Sequence, residues 1–152
     1  MNTTTKESFN LVGIACRTTN ENGQSSKDIP ALWQEFMSRD LASKIPNKTG
    51  QDLYCAYTEY EKDHTKPYTT ILGCAVSDLN DIPEGMTGIT VDASKYEVFQ
   101  AQGNLQEGAV FNEWLKIWTT EIPRAFMTDF EVYGVGAQNP EDAKVDIFVS
   151  VD

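Results

Sequence analysis

Glu131 is an acidic residue inside a strand-like segment, Asp129 to Val135 (DFEVYGV), that is otherwise rich in apolar and aromatic residues. Side chains alternate along a strand, so Glu131 and Tyr133 share one face and Phe130 and Val132 share the other. This alternation does not say which face is buried. On a buried face the carboxylate would need hydrogen-bond donors, a proton or a cationic ligand, because an unpaired buried charge is unstable. On an exposed face it would be an ordinary solvated side chain.

Several large aromatic side chains could surround that carboxylate. A cationic ligand placed among them would gain Coulombic energy from Glu131 and cation–π energy from the rings. Aromatic residues at helical spacing also occur in plain cores, and more often there than in pockets. The predicted ligand-binding residues are Glu131, Trp33, Phe36, Tyr57, Phe111, Trp114 and Tyr133.

The familiar catalytic and cofactor motifs are absent from the sequence. It has no G-x-S-x-G, no phosphate-binding G-x-x-x-x-G-K and no dinucleotide fingerprint. His64 is the only histidine and lies in a polar loop, which argues against a metal site or a Ser–His or Cys–His pair. Cys16, Cys55 and Cys74 lie in apolar stretches without a C-x-x-C pair and are predicted to be reduced, buried thiols. We therefore predict no cofactor and no metal.

Composition narrows the class of protein further. The chain has 152 residues, 40% of them hydrophobic, which suits one globular domain over residues 1–152. Its net charge is −11 and its Lys and Arg residues are scattered singly, so direct nucleic-acid binding is not expected. No apolar run approaches the ~20 residues of a membrane helix, and Met1 to Asn10 lacks the apolar core of a signal peptide. A cytoplasmic location with no membrane contact is the resulting expectation.

The elements that must position these residues form a repeat. Apolar residues at helical spacing predict one helix from Ile29 to Leu41, with Asp28 as its N-cap, and a second from Val110 to Ile122. Runs of β-branched and aromatic residues predict one strand before each helix and two after it. The six predicted strands are Phe9 to Arg17, Leu53 to Tyr60, Tyr68 to Ser77, Lys95 to Gln102, Asp129 to Val135 and Lys144 to Val151.

The order β-α-β-β therefore occurs twice, over residues 9–77 and 95–151, with Asp78 to Gly88 as a linker and a short strand possible at Gly88 to Ala93. This order predicts an α+β fold with a mainly antiparallel sheet and both helices packed on one face, around one core. Aligning the halves on Tyr57 and Tyr133 puts Glu131 at the place of Cys55. The seam between two such halves is a natural place for a small-molecule pocket.

Six stretches in this order resemble the GyrI-like family, also called the AraC-type effector-binding domain. They are IPALWQEF, YTEYEKDHTKPYTTILGCAV, YEVFQAQG, VFNEWLKIW, DFEVYGVG and VDIFVSV, and the resemblance extends from about Phe9 to Val151. It implies a duplicated β-α-β-β (SHS2-like) module. It also implies a receptor for hydrophobic, often cationic, small molecules, and some stand-alone members of the family are integron-cassette proteins.

The characteristic acidic residue of the family, in its F-E-x-Y strand, falls on Glu131, so the resemblance favours an inward-facing carboxylate that anchors the ligand. Some members resemble hydrolases of strained cyclopropane compounds, in which Glu131 would be the general base with a tyrosine partner. A gyrase-inhibitor-like protein-interaction module is a third possibility. No helix-turn-helix accompanies the module, so a role in transcription regulation or drug sensing is expected to be indirect, through a DNA-binding partner protein.

Overall fold

The computed structural model describes residues 3–152, which form one antiparallel sheet of eight strands and two α-helices. In chain order the elements are β1 (Thr3–Lys6), β2 (Phe9–Thr18), α1 (Ser25–Ser38), β3 (Leu53–Thr58), β4 (Tyr68–Val76), β5 (Thr87–Val91), β6 (Ser94–Gly103), α2 (Ala109–Trp118), β7 (Asp129–Tyr133) and β8 (Ala143–Val151). Across the sheet the order is β1-β6-β8-β7-β3-β4-β2-β5. The predicted α+β class and the repeated β-α-β-β order are confirmed.

The six predicted strands are all present, and their ends differ slightly from the prediction. Strand β3 ends at Thr58 instead of Tyr60, because Glu59 has a left-handed backbone (φ 50°) that an extended strand does not allow. The possible short strand in the linker is β5. Strand β1 was not predicted; its run of threonines carries no apolar alternation, and it pairs with β6 as one edge strand of the sheet.

Both helices differ from the prediction, α1 at both ends, since it stops at Ser38 and not at Leu41, and α2 mainly at its C-terminal end. Helix α1 begins at Ser25 with Gln24 as its N-cap residue, so the predicted cap at Asp28 is wrong. Asp28 instead lies in the first turn, where a carboxylate also interacts favourably with the helix dipole. Helix α2 ends at Trp118, well before Ile122. The Thr119 and Thr120 hydroxyls that follow donate to the Lys116 carbonyl at 3.0 and 2.7 Å, replacing the next helical bonds.

The two halves meet at the centre of the sheet, where β3 pairs with β7. Cys55 lies directly opposite Glu131, and Leu53 lies opposite Tyr133. This register is the one expected for a two-fold axis between Cys55 and Glu131, the two positions matched when the halves are aligned. The axis position therefore carries a thiol on one side and a carboxylate on the other.

Apolar side chains are buried on both faces of the sheet. One cluster packs beneath α1 and one beneath α2, and the third, on the opposite face, includes Tyr96, Phe130 and Phe148. The expectation of a single core is therefore wrong. Phe130 and Glu131 are both buried, at 0% and 1% exposure, although only one of them was expected to be. The sheet is curled, and the rings on its outer face cover one another: Phe130 stacks on Phe148 with ring centroids 4.8 Å apart.

The cysteines are free, with Cys55 and Cys74 buried and Cys16 partly exposed. Within residues 3–152, neither helix is long and apolar enough to cross a membrane. The same part of the chain has no cluster of three or more His, Cys, Asp or Glu side chains suited to a metal ion.

Candidate functional site

A cavity of about 340 Å³ lies over the seam between the two halves, with α1 on one side and α2 on the other. All three tryptophans of the chain line it. Its walls are formed by Asn20, Ser25, Ser26, Ile29, Pro30, Trp33, Tyr57, Tyr60, His64, Tyr68, Leu105, Gly108, Val110, Phe111, Trp114, Trp118, Arg124, Glu131 and Tyr133. Tryptophan, tyrosine and phenylalanine rings make this an apolar, aromatic hollow with few charged groups.

The Glu131 carboxylate accepts three hydrogen bonds from the walls of this cavity. Its Oε2 accepts from the Tyr57 hydroxyl at 2.6 Å and from the Trp114 indole N–H at 2.7 Å, and its Oε1 accepts from the Tyr133 hydroxyl at 2.5 Å. The donors come from β3, α2 and β7, so both repeats hold the carboxylate. Three donors on a buried carboxylate stabilise its ionised form.

Ring packing holds the donors of this network in place. The ring of Tyr57 meets Trp114 edge-on, with centroids 5.6 Å apart, and Trp33 of α1 meets Tyr133 edge-on at 4.7 Å. Such edge-to-face pairs are a favoured aromatic geometry. Each helix therefore places one tryptophan against a strand tyrosine that donates to Glu131.

Burial and hydrogen bonding act in opposite directions on the acidity of Glu131. Burial raises its pKa above the ordinary value, and the bonds from Tyr133, Tyr57 and Trp114 reduce that rise. Burial also raises the pKa values of the Tyr57 and Tyr133 phenols well above their usual range, so both stay protonated as donors. The ion pairs formed within residues 3–152 all involve other carboxylates. The negative charge of Glu131 is thus solvated by hydrogen bonds and lacks a positive partner there.

Arg124, which also lines the cavity, is already paired. Its Nη2 donates to Asp129 Oδ2 at 2.8 Å, and Asp129 is fully buried. The remaining capacity of Asp129 is taken by the Tyr60 hydroxyl and by the backbone N–H and hydroxyl of Ser150. The positive charge of Arg124 is therefore balanced within its own ion pair.

Six of the seven sequence-predicted site residues lie together in the cavity wall: Trp33, Tyr57, Phe111, Trp114, Glu131 and Tyr133. Phe36 lies elsewhere. It is 1% exposed and belongs to the core cluster beneath α1. Three residues along a helix correspond to a rotation of about 60° between side chains, which is enough to separate Phe36 from Trp33.

Sequence reasoning missed several residues that line the cavity, among them Tyr60, His64, Tyr68, Trp118 and Arg124. His64 does lie in a loop, as expected, but its ring stacks on Trp118 at 5.3 Å with an interplanar angle of 8°. That contact joins the hairpin loop of one half to the helix of the other, so no local sequence pattern predicts it. The apolar stripe of α2 was the available signal for Trp118.

The comparison with protein families decides to which group this architecture belongs. A model of the Cass2 family, described as integron-associated effector binding protein, matches residues 3–151. The chain belongs to this family. The resemblance to stand-alone effector-binding proteins of integron cassettes, seen in the sequence, is confirmed.

Individual relatives agree with the family in length and fold. A Bacillus subtilis (strain 168) protein named "Putative transcriptional regulator protein YobU" is 29% identical over 145 residues, covering 93% of this chain and 91% of that protein. An integron cassette protein from the mobile metagenome of Vibrio cholerae has a TM-score of 0.76 and 27% identity, covering 99% of this chain and 95% of its own. A structure of SAV2435 bound to tetraphenylphosphonium has a TM-score of 0.81 at 21% identity, covering 99% and 93%.

Proposed function

We propose that this protein binds hydrophobic, cationic aromatic molecules in the cavity between its two repeats, with the Glu131 carboxylate as the anionic anchor. One observation carries the proposal. A buried carboxylate with three hydrogen-bond donors and no cationic partner in residues 3–152 lies in a wall of aromatic rings. A bound cation would supply the missing positive charge.

The chemistry of the cavity favours a large organic cation over a metal ion. Three hydrogen bonds already occupy most of the lone pairs of the carboxylate. Metal ions such as Ca²⁺ need six or more oxygen ligands, and the aromatic walls do not provide them. A delocalised organic cation needs no such set of oxygen ligands. The negative charge of Glu131 and the faces of the aromatic rings are enough to bind it. At an effective dielectric constant of about 20, a unit charge 4 Å from the carboxylate gains about 4 kcal/mol, and each ring adds roughly 0.5–2 kcal/mol.

The related fold that holds tetraphenylphosphonium supports the same choice of ligand class, since that ion is apolar, aromatic and permanently charged. A direct test is therefore titration of the protein with tetraphenylphosphonium, followed by intrinsic fluorescence. All three tryptophans line the cavity, so occupancy should change the signal strongly.

Glu131→Gln removes the charge and keeps the shape. We expect this variant to lose about 2–5 kcal/mol of binding free energy for tetraphenylphosphonium, since the cation then enters without its counter-charge. Glu97→Gln is the matched control, because Glu97 is also a buried carboxylate but lies outside the cavity wall and accepts from Thr3. Its affinity should equal that of the wild type. Equal affinities in wild type and Glu131→Gln would reject Glu131 as the anchor.

A hydrolase that uses Glu131 as general base is the alternative reaction for the same cavity. The structure offers two tyrosine partners, since Tyr57 and Tyr133 both donate to Glu131. Those same bonds, with the one from Trp114, occupy most of the lone pairs of the carboxylate, so little capacity is left to accept a proton from a substrate or a water. We therefore favour the receptor, which returns its ligand unchanged; product formation from a strained cyclopropane substrate would reverse this preference.

A link to transcription would run through a partner protein that reads the liganded state. Support for this comes from the name of the Bacillus subtilis relative. Size-exclusion chromatography with a candidate DNA-binding regulator, with and without tetraphenylphosphonium, tests it: we expect co-elution that depends on the ligand. The same experiment addresses the interaction-module alternative, for which co-elution should not depend on ligand.

A further inference from the structure

A second cavity, of about 460 Å³, adjoins the first. It is lined by His64 and by the segment between the end of α2 and β7, including Trp118, Arg124 and Phe126. His64, Trp118 and Arg124 line both cavities. These three side chains therefore form the boundary across which a ligand anchored at Glu131 could extend.

Unpaired hydrogen-bonding atoms are concentrated at this boundary. Among residues 3–152, five buried side-chain nitrogen or oxygen atoms have no hydrogen-bond partner, and three of them are Arg124 Nε, Arg124 Nη1 and His64 Nδ1. A buried donor without an acceptor is costly and rare in folded proteins. Arg124 Nε and Nη1 are obligate donors, and His64 Nδ1 donates in one of the two neutral tautomers of its ring, so these atoms together fit an acceptor at this place.

The guanidinium is held so that these N–H groups stay available. Nη2 alone is bonded to Asp129, whose oxygens are otherwise occupied, and the guanidinium carbon lies 4.2 Å from the centre of the Phe126 ring. Phe126 has a left-handed backbone (φ 52°), an unusual conformation for a bulky residue that is found preferentially at ligand clamps. The chain thus carries local strain in the segment that holds Arg124.

The charges at the boundary select an uncharged acceptor over an anion. The positive charge of Arg124 is balanced by Asp129. Burial, and next the charge of Arg124, lower the pKa of His64, so its ring is neutral at neutral pH. The exposed Glu121 also lines the second cavity and adds a negative charge there. A carboxylate would meet no net positive charge, whereas a carbonyl or ester oxygen only needs an N–H donor.

We propose that Arg124 and His64 form a second recognition subsite, which binds an uncharged oxygen acceptor, such as a ketone or ester carbonyl, on the cationic aromatic ligand. This subsite deepens the proposed function and rests on it. The ligand would then carry its positive charge at one end, against Glu131, and a carbonyl-type oxygen at the other, against the boundary of the two cavities.

Three phosphonium ions of nearly equal size test the subsite. They are triphenylphosphonium salts whose fourth ring is 4-methylphenyl, 4-acetylphenyl or 4-carboxyphenyl, and their dissociation constants would be measured by isothermal titration calorimetry at pH 7. We expect the acetyl compound to bind the wild type about tenfold more tightly than the methyl compound, as one or two new hydrogen bonds allow. The carboxylate compound should bind no more tightly than the acetyl compound.

The variants locate the effect through the ratio of acetyl to methyl affinity. Arg124→Lys keeps a positive charge beside Asp129 and removes the unpaired guanidinium N–H groups, and His64→Phe keeps a ring stacked on Trp118 without Nδ1. Each variant should lower the ratio of acetyl to methyl affinity toward one. If Arg124→Lys does not fold, His64→Phe by itself still tests the subsite. Arg17→Lys, an exposed arginine outside both cavities, should leave the ratio at its wild-type value.

Glu131→Gln separates the two proposals, because it should weaken all three compounds and keep the ratio. Binding of all three compounds to the wild type with equal affinity would overturn the acceptor subsite and leave the cation site standing. If the wild type binds the carboxylate compound more tightly than the acetyl compound, the choice of an uncharged acceptor is overturned. No binding of any compound would overturn the cation-binding function and the subsite together.

Discussion

Two opposing effects act on the charge of Glu131: burial destabilises it, and three hydrogen-bond donors stabilise it. A permanently charged ligand binds the ionised form, so affinity for tetraphenylphosphonium should fall as the pH is lowered through the raised pKa of Glu131. Below that pKa the fall should approach tenfold per pH unit. Fluorescence titrations from pH 4 to pH 8 measure it.

His64 also lines the cavity, and protonation of its ring at a pH below its lowered pKa adds a positive charge that should oppose cation binding as well. Glu131→Gln isolates this second contribution, since only the His64 part of the pH dependence remains in that variant. If wild type and Glu131→Gln lose affinity in parallel over the whole range, the titrating anchor is excluded.

Stability should depend on pH through Glu131 with the opposite sign to that of an ordinary salt-bridged carboxylate. Its pKa is raised in the folded protein, so its contribution to folding is most favourable below the unfolded-state value of about 4.5 and is lost as the pH rises through the folded-state pKa. The free energy of unfolding of the wild type minus that of Glu131→Gln should therefore fall from pH 4 to pH 7. Urea unfolding of both proteins measures this difference, and a rise over that interval would contradict the burial-dominated shift.

At the scale of the element, the two helices use their aromatic residues differently. Phe36 on α1 is enclosed in the core, whereas Phe111 on α2 lines the cavity and is 48% exposed. Phe36→Ala should lower the free energy of unfolding by about 3–5 kcal/mol, because it leaves a cavity in the core, and should leave the affinity of the folded protein unchanged.

Phe111→Ala should do the reverse. Loss of one ring from the cavity should weaken tetraphenylphosphonium binding by about 0.5–2 kcal/mol, with a small effect on stability. Thermal unfolding and fluorescence titration of both variants provide the comparison. Weaker ligand binding by folded Phe36→Ala would instead show that Phe36 contributes to ligand binding, as the sequence analysis predicted.

At the scale of the whole molecule, the net charge of −11 surrounds a cavity that should take up cations. The surface field should speed association, and added salt should screen it. We expect the association rate constant of tetraphenylphosphonium to fall between 0.05 and 0.5 M NaCl, while the dissociation rate constant, governed by contacts inside the cavity, stays nearly constant. Stopped-flow tryptophan fluorescence gives both rates. A salt effect confined to dissociation would show that the surface charge does not steer the ligand.

The duplicated architecture explains why a single carboxylate lies at the axis between the halves. The axis between the halves passes between Cys55 and Glu131, which lie opposite each other in the sheet. A symmetric pair of acids there would place two carboxylates side by side, and each would oppose ionisation of the other. With a thiol on one side, the single charge draws donors from both halves, Tyr57 from the first and Tyr133 and Trp114 from the second.

The order of elements and six of the residues that line the cavity followed from the sequence, because helical and strand periodicities are local properties of the chain. The residues that escaped prediction depend on contacts between distant segments. His64 meets Trp118 only when a hairpin loop folds over the other half, and Arg124 is placed by its ion pair with Asp129.

The sequence by itself determined the repeated β-α-β-β order, the strand that carries Glu131 and the shared face of Glu131 and Tyr133. Only the tertiary structure decided that Phe130 and Glu131 are both buried. Alternation along a strand separates two faces but does not say how many of them are covered. That depends on the curl of the sheet and on the helices packed against it, which are set by interactions along the whole chain.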